Sequence, residues 1–293
     1  MKKNQVLKVT KDEILIEFLL KNLNGKSRNN IKSLLAYGQI LVNKKIKKQY
    51  NFELKIGDEV EIHYEKSRET SKNIGLEIVY EDKDIIVINK PEGLLSMATE
   101  KEKAKTAYSI LMNYVKNQNI KNRIYIVHRL DRETSGVMIY AKTEKSKTIL
   151  QENWNDMVKE RIYVALVEGK IQKEKDTIKS WLKDNKAFVT YSTFSEQSGG
   201  KLAITNYETL KIGKNYSLLK VSLETGRKNQ IRVHMSDIGH PIANDKKYGA
   251  KYNCYNMKRL GLHAQSITFI HPISKETMTF EIEIPDAFNK GLN

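Results

Sequence analysis

Asp131 stands in a run of ionisable side chains, His128-Arg129-Leu130-Asp131-Arg132-Glu133, between two apolar segments, Arg123–Val127 and Gly136–Thr143. Both segments read as buried strands, so the connection between them is anchored at each end. A carboxylate held in this way has a fixed direction. It can act as a nucleophile or a proton acceptor, or it can simply accept backbone N–H bonds in its own turn. Thr134-Ser135-Gly136 closes the connection as a tight turn, its hydroxyls bonding local backbone and Gly136 tolerating positive φ. A second cluster lies farther along: Arg227, Lys228, Gln230, Arg232 and His234, opened by Gly226 and closed by Gly239 and Pro241. Ile231 and Val233 alternate with the polar residues, which predicts a strand presenting Gln230, Arg232 and His234 on one face toward a polar cleft. If Arg232 meets Asp131, the guanidinium holds the carboxylate ionised and aimed.

The strings "HRLDRETSG" and "TGRKNQIRVH" closely resemble the signature of the RluA-type pseudouridine synthases. "EDKDIIVINKPEGL" before them and "LHAQSITFIHP" near the end agree in chain order, so the resemblance runs from about Leu76 to Pro285. It implies an α+β pseudouridine synthase fold and an isomerisation of uridine in RNA. The bond from uracil nitrogen to the ribose anomeric carbon breaks, the base turns while held, and its fifth carbon joins the same ribose carbon. No atoms are lost, and neither a cofactor nor a metal is implied. In this reading Asp131 is the catalytic carboxylate, Arg232 its ionic partner, and Tyr163 lies against the uracil ring.

A uridine inside a helix is out of reach and must be extruded, at a cost of about a few kcal/mol. Arg129 is suited to fill the vacated place with its planar guanidinium, and His128 to order that loop. Arg227 and Gln230 complete the expected substrate-binding set. Lys90 and Lys142 are candidates for phosphate contact, with a solvated lysine as the plainer expectation. The chain departs from the family pattern at Asn229, usually His, and at Arg161, usually Lys. His263 and His271 are expected to be structural, and six widely spaced histidines form no metal-ligand pattern.

These residues need elements to position them. Strand-like segments outnumber helices after residue 76 and often follow one another directly, which predicts a mainly antiparallel, mixed-sheet α+β domain over residues 76–293. Helices are expected from Thr106, and again over a pattern of Ile149, Leu150, Trp154, Met157 and Val158. Residues 1–66 form a separate small α/β unit, joined by a polar linker over 67–75. There Thr10 and Glu13 spell a capping box before a first helix ended by Gly25. Ser27 caps a second helix carrying Ile31, Leu34 and Leu35 on one face, closed by Gly38, and strands with turns at Asn43-Lys44 and Gly57-Asp58 follow. From Lys21 to Lys48 there are eight Lys/Arg and no acid. Lys26, Arg28, Lys32, Lys44, Lys45, Lys47 and Lys48 are therefore a candidate phosphate-binding patch. The stretch from Ser27 to Ile62 resembles the alpha-L RNA-binding domain.

The whole chain points the same way. It carries 51 Lys+Arg against 35 Asp+Glu, a formal charge of +16, which favours a polyanionic partner such as nucleic acid. The single Cys254 allows no internal disulfide. No apolar run approaches the ~18 residues of a membrane span, and the opening residues do not read as a signal peptide; the expectation is a cytoplasmic monomer. The expected activity is RNA pseudouridine synthesis. The expected substrate is large-subunit ribosomal RNA, because family members with the appended domain mostly act there, and transfer RNA is the alternative. Two rivals are a non-catalytic RNA-binding or ribosome-assembly factor and a glycosidic hydrolase. The hydrolase would want a second carboxylate across the bond, and of Asp131 and Glu133 only Asp131 matches a role.

Overall fold

The computed structural model describes residues 5–23, 28, 31, 34–35, 39–47, 49–62, 75–99, 105–254 and 257–292. The chain divides into two compact units, residues 1–77 with 110–123, and residues 78–109 with 124–293. Among the described residues no helix is long and apolar enough to cross a membrane.

The first unit contains β1 (Gln5–Lys8), β2 (Glu13–Ile14), α1 (Leu15–Asn22), β3 (Ile40–Val42), β4 (Lys45–Ile46), β5 (Glu53–Leu54) and β6 (Glu59–Ile62). Four strands pair in the order β1-β6-β3-β4, while β2 and β5 form a separate ribbon. Leu15, Phe18 and Leu19 of α1 pack with Ile31, Leu35, Ile40, Leu54, Val60 and Ile62 into one core. Asn43 and Lys44 take φ values of 49° and 64°, the left-handed pair that a two-residue hairpin between right-twisted strands requires. The expected capping box does not form. Helix α1 begins at Leu15, its N-cap Ile14 makes no side-chain cap bond, and Glu13 lies in β2 with its carboxylate on Lys21 at 2.5 Å. The ladder to β5 takes the residues that the local pattern assigned to a cap. Gly25, Ser27 and Gly38, expected to bound the helices, lie outside the described residues.

The second unit is built on one large sheet. Its elements are β7 (Glu77–Glu81), β8 (Ile85–Lys90), α2 (Ala107–Gln118, which the division between units cuts), β9 (Tyr125–Ile126), β10 (Ser135–Ala141), α3 (Glu144–Glu152), α4 (Trp154–Met157), β11 (Val158–Glu168), β12 (Lys175–Asp184), β13 (Thr190–Thr193), β14 (Lys201–Ile212), β15 (Tyr216–Leu223), α5 (Gln230–Asp237), β16 (Leu262–Ile270), β17 (Thr277–Glu281) and α6 (Asp286–Leu292). The strands run β13-β12-β14-β15-β11-β16-β10-β8-β7, with β17 on β16 and β9 on β10. Strand β10 runs parallel to β16 and antiparallel to β8; the registered pairings of β11, β12, β14 and β15 are antiparallel. This is the expected mixed, mainly antiparallel α+β architecture.

Helix α2 starts where expected, and Thr106 and Ser109 cap each other: the Ser109 N–H donates to Thr106 Oγ1 at 3.0 Å and the Thr106 N–H to Ser109 Oγ at 2.9 Å. The pattern from Ile149 to Val158 is two helices rather than one, with Val158 already in β11. The larger difference is at residues 230–237, which form helix α5 and not a strand. Gln230, Ile231, Val233, His234 and Met235 are all buried there. A helix covered on nearly every side loses its 3.6-residue pattern, and the remaining alternation imitates a strand. Gly239, at φ 81°, ends this helix: its N–H donates to Ser236 O and the His240 N–H to Met235 O, both at 2.9 Å.

Candidate active site

All seven residues of β10 are buried, and the connection that delivers Asp131 to its start is clamped from two sides. Ser96 Oγ donates to Leu130 O at 2.6 Å and accepts from Leu130 N–H at 3.2 Å. Lys90, fully buried, donates to Pro91 O, Leu94 O and Arg132 O at 2.9, 2.7 and 3.1 Å. The Thr134 N–H closes the turn on Asp131 O at 3.2 Å. Lys90 is thus neither a phosphate contact nor a solvated lysine. Burial pulls its pKa down to about 8, against the opposing pull of Glu133 and Asp131. Lys142 is likewise taken up inside the fold, by Glu81 at 2.6 Å and by Asp82 O.

Helix α5 brings the second cluster to the same place. A cavity of about 240 Å³ is lined by Arg129, Leu130, Asp131, Tyr163, Leu223, Gly226, Arg227, Lys228, Asn229, Gln230, Ile231, Arg232 and Leu262. It is at the small end of ligand pockets. Arg232 Nη1 stands 4.0 Å from Asp131 Oδ2, the two side chains 11% and 29% exposed. Tyr163 enters from β11 beside a β-bulge. Burial raises its phenol pKa against the opposing charge of Arg161, with Asp131 adding to the rise, so the hydroxyl keeps its proton at neutral pH. Arg129 and Arg227 are exposed at the cavity wall, and Arg227 Nε is tied to Leu202 O at 2.8 Å.

The helix sorts the polar trio differently from a strand. Gln230 and His234, four residues apart, share the inward face. His234 binds Thr205 Oγ1 through Nδ1 at 2.8 Å and Ser180 Oγ through Nε2 at 2.9 Å, and burial holds its pKa near 4. Gln230 spends its amide on the protein. Oε1 accepts from Thr225 and the Arg227 N–H, and Nε2 donates to Ile204 O and Thr205 Oγ1, all at 2.8–2.9 Å. It therefore shapes the cavity wall and has no hydrogen-bonding capacity left for a substrate. Of the three, Arg232 and Gln230 line the cavity and His234 does not. His128, expected at the substrate, is absent from the lining: its Nε2 accepts the Ile139 N–H at 2.9 Å and its ring packs 4.8 Å from Trp154. Burial, with Arg161 nearby, pushes its pKa down to about 3, so it is a neutral scaffold residue.

The RNA pseudouridylate synthase family model matches residues 84–237, the span that contains Asp131, Tyr163 and Arg232. The chain belongs to the RNA pseudouridylate synthase family. It is an isomerase. It is similar to an uncharacterized RNA pseudouridine synthase of Aquifex aeolicus, 34% identical over 94% of this chain and 92% of that one. It is also similar to the ribosomal large subunit pseudouridine synthase D of Haemophilus influenzae, 33% identical over 91% and 86%. The fold matches human RNA pseudouridylate synthase domain containing 4, with a TM-score of 0.60 at 23% identity over 73% of this chain and 91% of that one.

The synthase's two departures from the family pattern have local accounts. Asn229 adopts φ 53°, a conformation that Asn tolerates better than most residues, and its Oδ1 accepts from Arg232 Nη1 at 3.1 Å. Arg161 donates to Leu223 O at 3.3 Å, and its guanidinium lies where a Cβ on Gly226 would stand, so a side chain there would push the guanidinium aside. Several residues that build the site were missed in the sequence. Asp245 grips Arg232, and the Tyr248 ring covers the guanidinium with its centroid 4.8 Å from Cζ. "NDKKYG" holds both, but no spacing rule ties an acid beyond a turn to an arginine on a helix.

The synthase also gathers His271 with Asp82 and Asp84, potential ligand atoms within 4.8 Å of one another, which the histidine spacing did not foretell. His271 Nδ1 accepts from the N–H groups of Ser274 at 3.0 Å and Ile273 at 3.3 Å. That places the ring proton on Nε2, 3.0 Å from Asp82 Oδ2. A metal on Nε2 would require the proton to move to Nδ1, against two N–H donors. The donor set does not suit a metal, and His271 serves as a turn-holding residue.

In the first unit, Lys44, Lys45 and Lys47 stand on and just after the β3–β4 hairpin, with Lys47 Nζ 4.0 Å from the Phe52 ring centroid. Arg28 is less free than its acid-free neighbourhood suggested: it pairs with Glu17 of α1 at 3.0 Å. Lys26, Lys32 and Lys48 lie outside the described residues.

Proposed function

We propose that this synthase converts uridine to pseudouridine in large-subunit ribosomal RNA, with Asp131, Arg232 and Tyr163 as its reacting-site residues. The observation that carries this reading is the placement of Asp131 Oδ2 4.0 Å from Arg232 Nη1 at a cavity that Tyr163 also lines. The target uridine is swung out of its helix into this cavity, and Arg129 at the rim takes the vacated place in the stack. Asp131 supplies the lone pair that starts the reaction, to the sugar or to one of its protons. The N1–C1′ bond breaks, the base turns against the Tyr163 ring, and C5 bonds to C1′. The C5 proton is then lost and a proton is taken up at N1, so atoms balance without a cofactor.

Support for the substrate comes from relatives described as ribosomal large subunit synthases in Haemophilus, Buchnera and Neisseria, at 33–34% identity. The basic hairpin adds to it: we read residues 1–66 as an alpha-L RNA-binding domain joined through 67–75 to the catalytic domain, with Lys44, Lys45 and Lys47 on phosphates. Pseudouridine mapping in cellular RNA, with and without this protein, tests the substrate; marks lost only from transfer RNA would move the assignment there. Asp131→Asn is expected to abolish those marks while RNA binding persists. Full modification by that variant removes the proposed chemistry.

A further inference from the structure

The second unit holds another cavity, of about 670 Å³, away from Asp131. Strand β11 leads from one to the other. Tyr163 lines the cleft, and Gly169, just past the end of the strand, lines this cavity, about 20 Å farther along an extended chain. Its volume falls within the roughly 300–1,000 Å³ of ligand pockets.

The floor is apolar and the rim is cationic. Tyr216, Cys254 and Leu292 are its buried lining residues. Lys170, Lys214, Asn215 and Asn253 line it as exposed residues. No lining residue is acidic, and among the described residues neither lysine has a carboxylate partner. Tyr252 completes the rim, 67% exposed, and among the described residues its ring stacks on no other. The loop beneath it is nonetheless fixed. The buried Glu168 carboxylate accepts the Tyr252 N–H at 2.9 Å and the Lys251 N–H at 3.1 Å. Asn244 Oδ1 accepts the Cys254 N–H at 2.9 Å. Glu168 is thus taken up by backbone donors rather than by either lysine. On the strand side, the Gly169 N–H donates to Asn215 O and Ser217 Oγ to Gly169 O, both at 2.8 Å.

A flat ring on a stiff loop, over an apolar floor and beside two cations and two carboxamides, has the chemistry of a nucleotide site. The ring stacks a base at little ordering cost, the carboxamides meet its edge, and the lysines meet phosphate. A base inside a helix has its faces covered by its neighbours, so the ring selects an unpaired one. The N–H groups of Gly169, Tyr252 and Cys254 already donate within the protein and form no cradle for the phosphate chain of a free nucleotide. Two exposed lysines suit instead the single phosphates of a strand that continues past the site.

We propose that this cavity is a second RNA-contact site, which takes an unpaired nucleotide remote from the target uridine, its base on Tyr252 and its phosphates on Lys170 and Lys214. The site is separate from the Asp131 cleft, and the proposal holds whichever RNA is the substrate.

The test uses the full chain and a single-stranded RNA of about a dozen nucleotides that carries thiouridine. Ultraviolet cross-linking and peptide mass spectrometry should place an adduct on the peptide that contains Tyr252, a readout that RNA bound elsewhere on the protein does not produce. Duplex RNA of the same length should give no adduct there. Tyr252→Ala combined with Lys170→Gln and Lys214→Gln should bind the single strand about tenfold more weakly, the scale of one lost base–aromatic stack. Its slope of log affinity against log salt should fall by about 0.7 for each phosphate no longer neutralised. Tyr252→Phe keeps the ring and should bind as the parent does, which separates stacking from any loss of folding. The inference is overturned by the absence of a Tyr252 adduct, by a triple variant that binds like the parent, or by a Phe variant as weak as Tyr252→Ala alone. Saturable binding of uridine or adenosine monophosphate that the triple substitution removes, with no RNA adduct, makes this a free-mononucleotide site and overturns the assignment to RNA.

Discussion

Replacing Gly136 with Ala should damage both the fold and the chemistry, and the structure sets the size of the effect. Gly136 sits at φ 125°, a region that side chains avoid; holding a residue there costs about 1–3 kcal/mol. A Cβ would overlap the Ala264 carbonyl oxygen and lie 2.6 Å from its N and 2.7 Å from its C. All three atoms are backbone of β16, so no side chain can swing aside. The strands must part where β10 and β16 are joined, at only two registered positions, Ser135↔His263 and Gly136↔Ala264. Losing one or two of those backbone hydrogen bonds adds about 1 kcal/mol each. The sum is about 2–5 kcal/mol, a large share of the ~5–15 kcal/mol that stabilises an ordinary domain. Urea unfolding should show a lower midpoint at an unchanged m-value. Because Gly136 lies two residues beyond the turn from Asp131 to Thr134, at the start of β10, kcat on RNA should fall even where the variant is fully folded. An Ala variant within about 0.5 kcal/mol of the parent and equally active would refute this account of the strand junction.

Two further outcomes follow from other parts of the molecule. His128, His234 and His263 are held neutral, chiefly by burial, with pKa values of about 3, 4 and 4 against 6.5 for the free side chain. The unfolded chain binds these protons first, so their contribution to stability is fully present above pH 6.5 and is lost as pH falls toward 4. Urea midpoints measured from neutral to acid pH should fall accordingly and His234→Gln should flatten the slope; a midpoint independent of pH would contradict the burial argument. Replacing Lys44, Lys45 and Lys47 with Gln should lower the slope of log affinity against log salt by about 0.9 for each phosphate that the variant no longer neutralises. Filter binding over a range of salt measures this, and an unchanged slope would mean that the hairpin does not meet RNA.

Much of the site could be read from the chain because it is written in local strings. "HRLDRETSG" announced a carboxylate leading into a buried strand, although the strand before it is only Tyr125–Ile126 and half-buried, and "TGRKNQIRVH" announced the arginine near it; the cavity contains both, with Tyr163. The hairpin turn at Asn43-Lys44 and the start of α2 at Thr106 were equally legible, because φ preference and capping are properties of neighbours. Residues 230–237 failed for a definite reason: burial of five of the first six residues removed the polar stripe that marks a helix, and the residual alternation of Gln230, Arg232 and His234 imitated a strand.

The residue types and their spellings, by themselves, determined the family, the reaction class, a strongly positive net charge and a mixed α+β fold. The tertiary structure alone decided who holds whom. It put Lys90 inside the fold on three carbonyls, turned His128 and Gln230 into scaffold, and gave Arg232 first to Asp245 and only then to Asp131. Burial and hydrogen-bond partnership are set by groups far apart in the chain, so a side chain's charge can be known from its name while the group that uses that charge cannot.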